Sequence, residues 1–215
     1  MTYLNLVNGV LRRLREDEVT SVTANTYSKM VSDFINDAKD IVETAWDWSA
    51  LRSTLTITTT ADDNLYSLVG FRSEGKLFNL INDTSNLQMH YETQDWFDDK
   101  EYIESPVTGT PQYYTYSGVD ANGDCQIKIY PTPDKAYTLR ARVVIRNVNL
   151  SSNTDTLAIP STPVLHMAVA LLARERGETG GTSTAEYFNI ADKHLSDAIA
   201  LDAQKHPEET IFYTP

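Results

Sequence analysis

The sequence predicts an α+β protein in which helices at both ends of the chain enclose a β-rich middle. Two stretches with helical periodicity precede residue 50 and two follow residue 160, whereas the region between them alternates apolar and polar residues and is interrupted by turns. A change of period from about 3.6 to 2 marks the passage from helix to strand. We therefore predict a terminal-helix bundle formed by residues 1–52 and 156–205, an inserted antiparallel β-rich lobe at 53–155, and a tail at 206–215.

The two N-terminal helices are predicted from apolar residues that recur every three or four positions. The first covers residues 2–16, and the second covers about 24–49 with Thr23 as its N-cap. In the second helix, Lys39 and Glu43 are predicted to face away from the apolar stripe. That stripe consists of Tyr27, Val31, Phe34, Ala38, Ile41, Ala45 and Trp48.

The β-rich middle is predicted from period-2 alternation and from turn residues. It contains strands near 53–60 and 65–68, a hairpin of 76–81 and 87–91, a short helix from Thr93 to about Tyr102, and a three-strand meander at 112–118, 125–130 and 137–146. Residues Asp120 to Asp124 resemble a calcium loop but lack the downstream glutamate that such a loop needs. Gly123 and its Asx neighbours favour a hairpin turn there instead.

The two C-terminal helices are predicted to differ in burial. The first of them, from Ser161 to Arg176, is apolar nearly all round and is therefore predicted to be buried on several sides. The second, about 184–205, carries one apolar face that includes Phe188. The tail after it holds Ile211, Phe212 and Tyr213, and such a terminal aromatic cluster often docks onto its own domain or onto another chain.

Composition and motifs exclude several classes of protein. No run of about 18 apolar residues predicts a membrane span, no secretory signal is visible, and the single cysteine, Cys125, excludes an internal disulfide. The net charge of −12 favours solubility and repels bulk nucleic acid, although an acidic wall could let DNA pass if the protein lined a channel. The four histidines are scattered and no phosphate loop or nucleophile turn is present. We therefore predict no enzyme activity, no metal and no cofactor.

A basic sheet face is predicted on the last strand of the meander. Arg140, Arg142 and Arg146 lie on the face opposite the apolar residues, and Lys128 joins them if Ile127 and its neighbour Ile129 face the core. Such a face indicates either a contact surface for an acidic neighbour or a solvated face with local ion pairs.

Three groups of residues, in this order, resemble the head-to-tail adaptors of tailed bacteriophages. They are Ala45-Trp-Asp-Trp-Ser49 leading into Leu55-Thr-Ile57; then Pro111-Gln-Tyr-Tyr114, Tyr130-Pro-Thr-Pro-Asp134 and Tyr137-Thr-Leu-Arg-Ala141; and then Asp155-Thr-Leu-Ala-Ile-Pro160 before two closing helices. Because the β insert is large, the chain is more similar to the podovirus type, the tail tubular protein A connector, than to the shorter adaptors of long-tailed phages.

The resemblance implies a structural virion protein without catalytic residues. Copies of the chain, twelve in that family, would form a ring that joins the portal to the tail and surrounds passing DNA, with no membrane contact. It would occur in the tail connector of the virion and in the host cytoplasm during assembly. The resemblance implies portal contacts for Ile211, Phe212, Tyr213 and Phe188, and contacts with the neighbouring subunit, the tail nozzle or the tail fibres for Lys128, Arg140, Arg142 and Arg146.

Two other function classes stand beside the ring adaptor. The 12 tyrosines and 3 tryptophans, together with a β lobe, suggest a carbohydrate- or fibre-docking module of a phage tail, although the long helical framing argues against it. A cell-wall hydrolase would require an activity that is lost with a single carboxylate.

Overall fold

The computed structural model describes residues 1–72, 75–177 and 182–206, and over these residues the predicted α+β class is confirmed. Two compact units are present: one comprises 1–51 and 147–215, and the other comprises 52–146. We call them the helical unit and the β unit. Residues 147–155, assigned to the lobe by the sequence prediction, lie in the helical unit. The reason is local, because the Asn36 side chain accepts a hydrogen bond from the backbone N–H of Leu150 and donates one to its carbonyl.

Over the ranges that the structure describes, the chain forms five α-helices, of which the third lies in the β unit. They are α1 (Tyr3–Arg13), α2 (Thr26–Ala45), α3 (Gln94–Asp98), α4 (Ser161–Glu175) and α5 (Thr182–Ala203). In the helical unit α1, α2 and α5 all contact α4, which is buried along nearly its whole length as its apolar sequence predicts. The N-cap of α2 is Asn25 and not Thr23, because Asn25 and Ser28 form a reciprocal capping box.

The buried face of α2 differs from the predicted stripe. Val31 and Ala38 are buried as expected, but Ile35 and Val42 complete the buried face, and Ile41 is exposed. The prediction that Lys39 and Glu43 face outward is wrong. They lie one turn apart on the buried side, where the two charges partner each other.

The described residues of the β unit form nine strands. They are β1 (Arg52–Thr58), β2 (Leu65–Arg72), β3 (Lys76–Asn82), β4 (Leu87–Tyr91), β5 (Thr108–Gly109), β6 (Tyr113–Val119), β7 (Asp124–Tyr130), β8 (Thr132–Pro133) and β9 (Thr138–Val144). Seven of them form one sheet in the order β1-β9-β3-β4-β6-β7-β2. The edge strands β1 and β2 contact each other, so the sheet is nearly closed. Its interior is apolar and includes Leu68, Leu80, Ile127 and Leu139.

Two details of the predicted lobe are wrong. The sheet is not wholly antiparallel, since β4 pairs with β6 in parallel, as β5 does with β8. A parallel pair needs a long crossover, and the segment between β4 and β6, which contains α3, supplies one. The predicted meander is also wrong, because β9 pairs with β1 and β3 and not with β7.

The turn between β6 and β7 is the predicted hairpin turn. The Asp120 carboxylate accepts hydrogen bonds from the backbone N–H groups of Asn122 and Asp124, at 2.8 and 3.0 Å. Gly123 has a φ of +83°, a conformation that favours glycine. The Asp120 side chain of this loop therefore stabilises the hairpin turn.

Candidate interaction surfaces

The arginines predicted on one sheet face occur on the outward side of β9. Arg140 and Arg142 alternate with the buried residues Leu139, Ala141 and Val143. Arg140 forms an ion pair with Asp83 at 2.6 Å, whereas Arg142 is exposed and has no ion-pair partner among the described residues. Arg142 is therefore the cation of this strand most available to a partner.

Cross-strand neighbours extend this surface to β1 and β3. Arg52 and Lys76 both stand opposite Val144, on the same side of the sheet as the two arginines. Their cationic groups lie 4.9 and 5.4 Å from the centroid of the Phe78 ring, which is partly exposed. We call the four cations Arg52, Lys76, Arg140 and Arg142 the basic face.

Lys128 and Arg146 are not part of this basic face. Lys128 does point outward between the buried Ile127 and its neighbour Ile129, as predicted, but β3, β4 and β6 separate its strand from β9. It forms an ion pair with Glu101, and both side chains are about 15% exposed. Arg146 follows the end of β9 and is half-buried. A shared sheet face was predicted for all four residues because the alternation along each strand does not reveal which strands are neighbours.

Lys128 anchors an acidic segment, residues 92–104, against the outside of β6 and β7. The segment holds six acidic residues and one lysine, a formal charge of −5. Within this segment Phe97 is fully buried. The Trp96 ring packs edge-on against the Tyr130 ring, and the two ring centroids are 5.4 Å apart. After α3, the chain makes a π-helical turn that leaves Tyr102 and Ile103 76% and 80% exposed. Tyr102 and Ile103 thus form an exposed apolar pair that is surrounded by acidic residues.

The residues predicted to contact the portal fall in and beyond α5. Phe188 is half-buried, and the guanidinium of Arg174 lies 5.6 Å from its ring centroid. Ile211, Phe212 and Tyr213 lie outside the described residues. Elsewhere α5 exposes Tyr187, Ile190 and Leu201, which lie outside the apolar face predicted for this helix.

Buried charges in the helical unit were missed by sequence reasoning. The Lys39 ammonium donates to the Asn147 carbonyl at 3.0 Å and lies 3.4 Å from Glu43 Oε2, while Glu43 Oε1 has no hydrogen-bond partner in the described structure. Burial raises the pKa of Glu43, and Lys39 partly offsets that rise. Asp202 of α5 accepts hydrogen bonds from the backbone N–H of Ser49 at 2.8 Å and from the Trp46 indole at 3.2 Å. The two networks fix the segments that flank the β unit in sequence, residues 46–49 and 147.

Histidine and tryptophan side chains also have structural partners. His166 of α4 stacks on His194 of α5 with ring centroids 4.3 Å apart, a pair that spacing along the sequence did not reveal. Burial lowers the pKa of His166, and His194 and Arg13 lower it further. Trp48 is buried and donates to a backbone carbonyl, so the glycan-binding hypothesis gains no support from it or from the packed Trp96.

Neither a metal-ligand cluster nor a helix that could span a membrane occurs among the described residues. Across 1–72, 75–177 and 182–206, no three His, Cys, Asp or Glu side chains gather as metal ligands. Over the same ranges no helix has the length and hydropathy needed to cross a bilayer.

Comparison with known proteins assigns the chain to a family. A family model described as the SU10 adaptor protein matches residues 1–208. No protein of curated function matches the sequence. The match supports the predicted phage head-to-tail adaptor as a class, and the closer likeness to the tail tubular protein A type stays a prediction. Because the model covers nearly the whole sequence, the chain belongs to the SU10 adaptor protein family of phage structural adaptors.

Proposed function

We propose that this protein is a ring subunit that joins the portal to the tail and forms part of the channel through which DNA leaves the capsid. The observation that carries the proposal is the family match over residues 1–208. The net charge of −12 also supports it, because an acidic channel wall repels DNA and lets it slide. The subunit would be a terminal-helix bundle with a β lobe, present in twelve copies by the podovirus resemblance, and without enzymatic activity.

The helical unit is the proposed portal contact. The exposed apolar residues of α5 support this assignment, as do Phe188 and the aromatic residues of the tail, Ile211, Phe212 and Tyr213. Lys128, Arg140, Arg142 and Arg146 are the proposed contacts of the β unit and its border with a neighbouring subunit, the nozzle or the fibres. Closure of a ring sums many weak contacts, so no single patch needs high affinity.

Electron cryomicroscopy of purified phage particles tests the proposal. We expect density for this chain as a ring between the portal and the tail, and particles without the chain should retain DNA-filled heads that lack tails. Deleting residues 206–215 should abolish attachment to portal-bearing capsids, whereas replacing the exposed Lys29 with Ala should not. A chain that is absent from particles, or found only at fibre tips, would refute the assignment.

A further inference from the structure

Two surfaces of opposite charge lie on opposite sides of the β unit. The basic face belongs to β1, β9 and β3, and the acidic segment covers the outside of β6 and β7. In the strand order β1-β9-β3-β4-β6-β7-β2, with the two ends in contact, β9 and β6 stand across the sheet from each other. Both surfaces point away from the apolar interior, so they cannot meet within one molecule.

Each surface has the composition of one half of an interface. The acidic segment presents Tyr102 and Ile103, which are more than three-quarters exposed, next to the exposed carboxylates Asp95 and Asp99. The basic face presents Arg142, with no ion-pair partner among the described residues, together with the partly exposed Phe78. An apolar centre with a charged rim of complementary sign is the usual anatomy of a specific contact.

We propose that the acidic segment of one copy docks on the basic face of the next copy. The occupant is a second copy of this chain because each molecule carries both surfaces of opposite charge, on opposite outer sides of its sheet, where they cannot contact each other. A contact between two different patches on opposite sides of a body is heterologous, and repetition of such a contact gives a ring or a filament. In the proposed ring this contact would join neighbouring subunits, so its biological role rests on the proposed function.

Lys128 has a defined part in this arrangement. Its ion pair with Glu101 and the hydrogen bond from Asn64 to Glu101 hold the segment after α3 on the sheet. The ammonium of Lys128 also lies 5.9 Å from the Tyr102 ring centroid. Lys128 is thus a positioning residue for the acidic surface and not a member of the basic face.

Reciprocal charge reversal tests the contact. Variant A carries Arg140→Glu and Arg142→Glu, and variant B carries Asp95→Lys and Asp99→Lys. Sedimentation velocity at low salt should show concentration-dependent association of the wild type, and the association constant of A alone or B alone should fall at least about tenfold because like charges then face each other. An equimolar mixture of A and B should associate again, as should one chain that carries all four substitutions.

The control variant reverses two exposed lysines that belong to neither surface, Lys29→Glu and Lys135→Glu, and should associate like the wild type. A wild type that remains monomeric at every concentration, or variants A and B that associate like the control, would overturn the proposal. Failure of A and B to recover when mixed would also overturn it, provided that circular dichroism shows both folded. These results are independent of the location of the chain in particles, so the contact and the ring function can fail separately.

Discussion

The two units of this chain place their charged residues differently. In the described part of the helical unit Lys39, Glu43 and Asp202 are buried, whereas the interior of the sheet in the β unit is a continuous apolar cluster and the basic face lies on the outer side of β1, β9 and β3. A buried charge must find a partner, so it fixes local geometry at a cost in desolvation. A surface charge contributes little to stability and remains available for association. The helical unit thus uses buried charges to fix its packing, whereas the β unit keeps the Lys128–Glu101 pair for structure and presents the cations of its basic face for contact.

The largest expected effect comes from the buried lysine of α2. Replacing Lys39 with Met should lower the free energy of unfolding by about 3–5 kcal/mol, because Glu43 is then buried without its cation. Denaturation by urea, followed by helical circular dichroism, measures the change. The exposed Lys29→Met on the same helix should change stability by less than about 0.5 kcal/mol. Equal changes in the free energy of unfolding for the two substitutions would show that the Lys39–Glu43 pair does not stabilise the packing of α2.

The Asp202 network should give the next largest effect. Asp202→Ala should cost about 1.5–3 kcal/mol per charged hydrogen bond lost, since Ser49 and Trp46 both donate to this carboxylate. Burial opposes ionisation of Asp202, but the Ser49 hydrogen bonds and Lys205 outweigh it and lower the pKa to about 2 from 3.8. The stabilisation should therefore be complete above pH 3.8 and disappear as the pH falls toward 2. Asp197→Ala, at an exposed site on the same helix, is the control; an equal acid sensitivity in both variants would contradict the assignment.

A smaller, pH-dependent effect is expected at the stacked histidines. Because the pKa of His166 is lowered in the folded protein, the unfolded chain binds protons more readily below the ordinary histidine pKa of 6.5. Stability should be full above that value and should decline as the pH falls below it. Thermal melts between pH 7.5 and 5.5 should show a shallower decline for His166→Gln than for the wild type. His90→Gln, in the β unit, should retain the wild-type decline.

The smallest effect on stability is expected at the basic face. Arg142→Glu should change the free energy of unfolding by less than about 0.5 kcal/mol, since Arg142 is exposed and unpaired among the described residues. A melting curve close to that of the wild type, together with weakened self-association, would support the difference between the two units in how they use charge. A loss of stability as large as that expected for Lys39→Met would contradict that difference.

Local elements of the fold were largely predictable, and long-range pairing was not. Helix periodicity located α1, α2, α4 and α5 to within a few residues, and the hairpin of β3 and β4 followed from its turn. The strands that pair with β9 could not be predicted from the sequence, because alternation along a strand identifies its buried face but not its neighbouring strands. This is why Lys128 was grouped with Arg140 although their strands lie on different sides of the sheet.

The candidate surfaces were predictable only in part for a related reason. Arg140 and Arg142 follow directly from alternation on one strand. The acidic segment contains the sequence signal of six carboxylates, but its placement opposite the basic face depends on the parallel crossover between β4 and β6. On α2, Ile35 and Ile41 both fit an apolar stripe, and only the packed structure decides which of them is buried. A helix that is apolar on more than one side cannot reveal its inner face by periodicity alone.

The pairing of Arg52 with Val144 has an implication for how such adaptors diversify. These residues begin and end the sheet portion of the β unit, and as antiparallel partners their Cα atoms are about 5 Å apart. An insert whose two ends meet can be exchanged for another insert, or reduced to a tight turn, without stretching the flanking chain. An adaptor of this kind can therefore exchange its lobe while the helical unit stays the same, and each lobe would bring its own charge pattern and its own choice of neighbour.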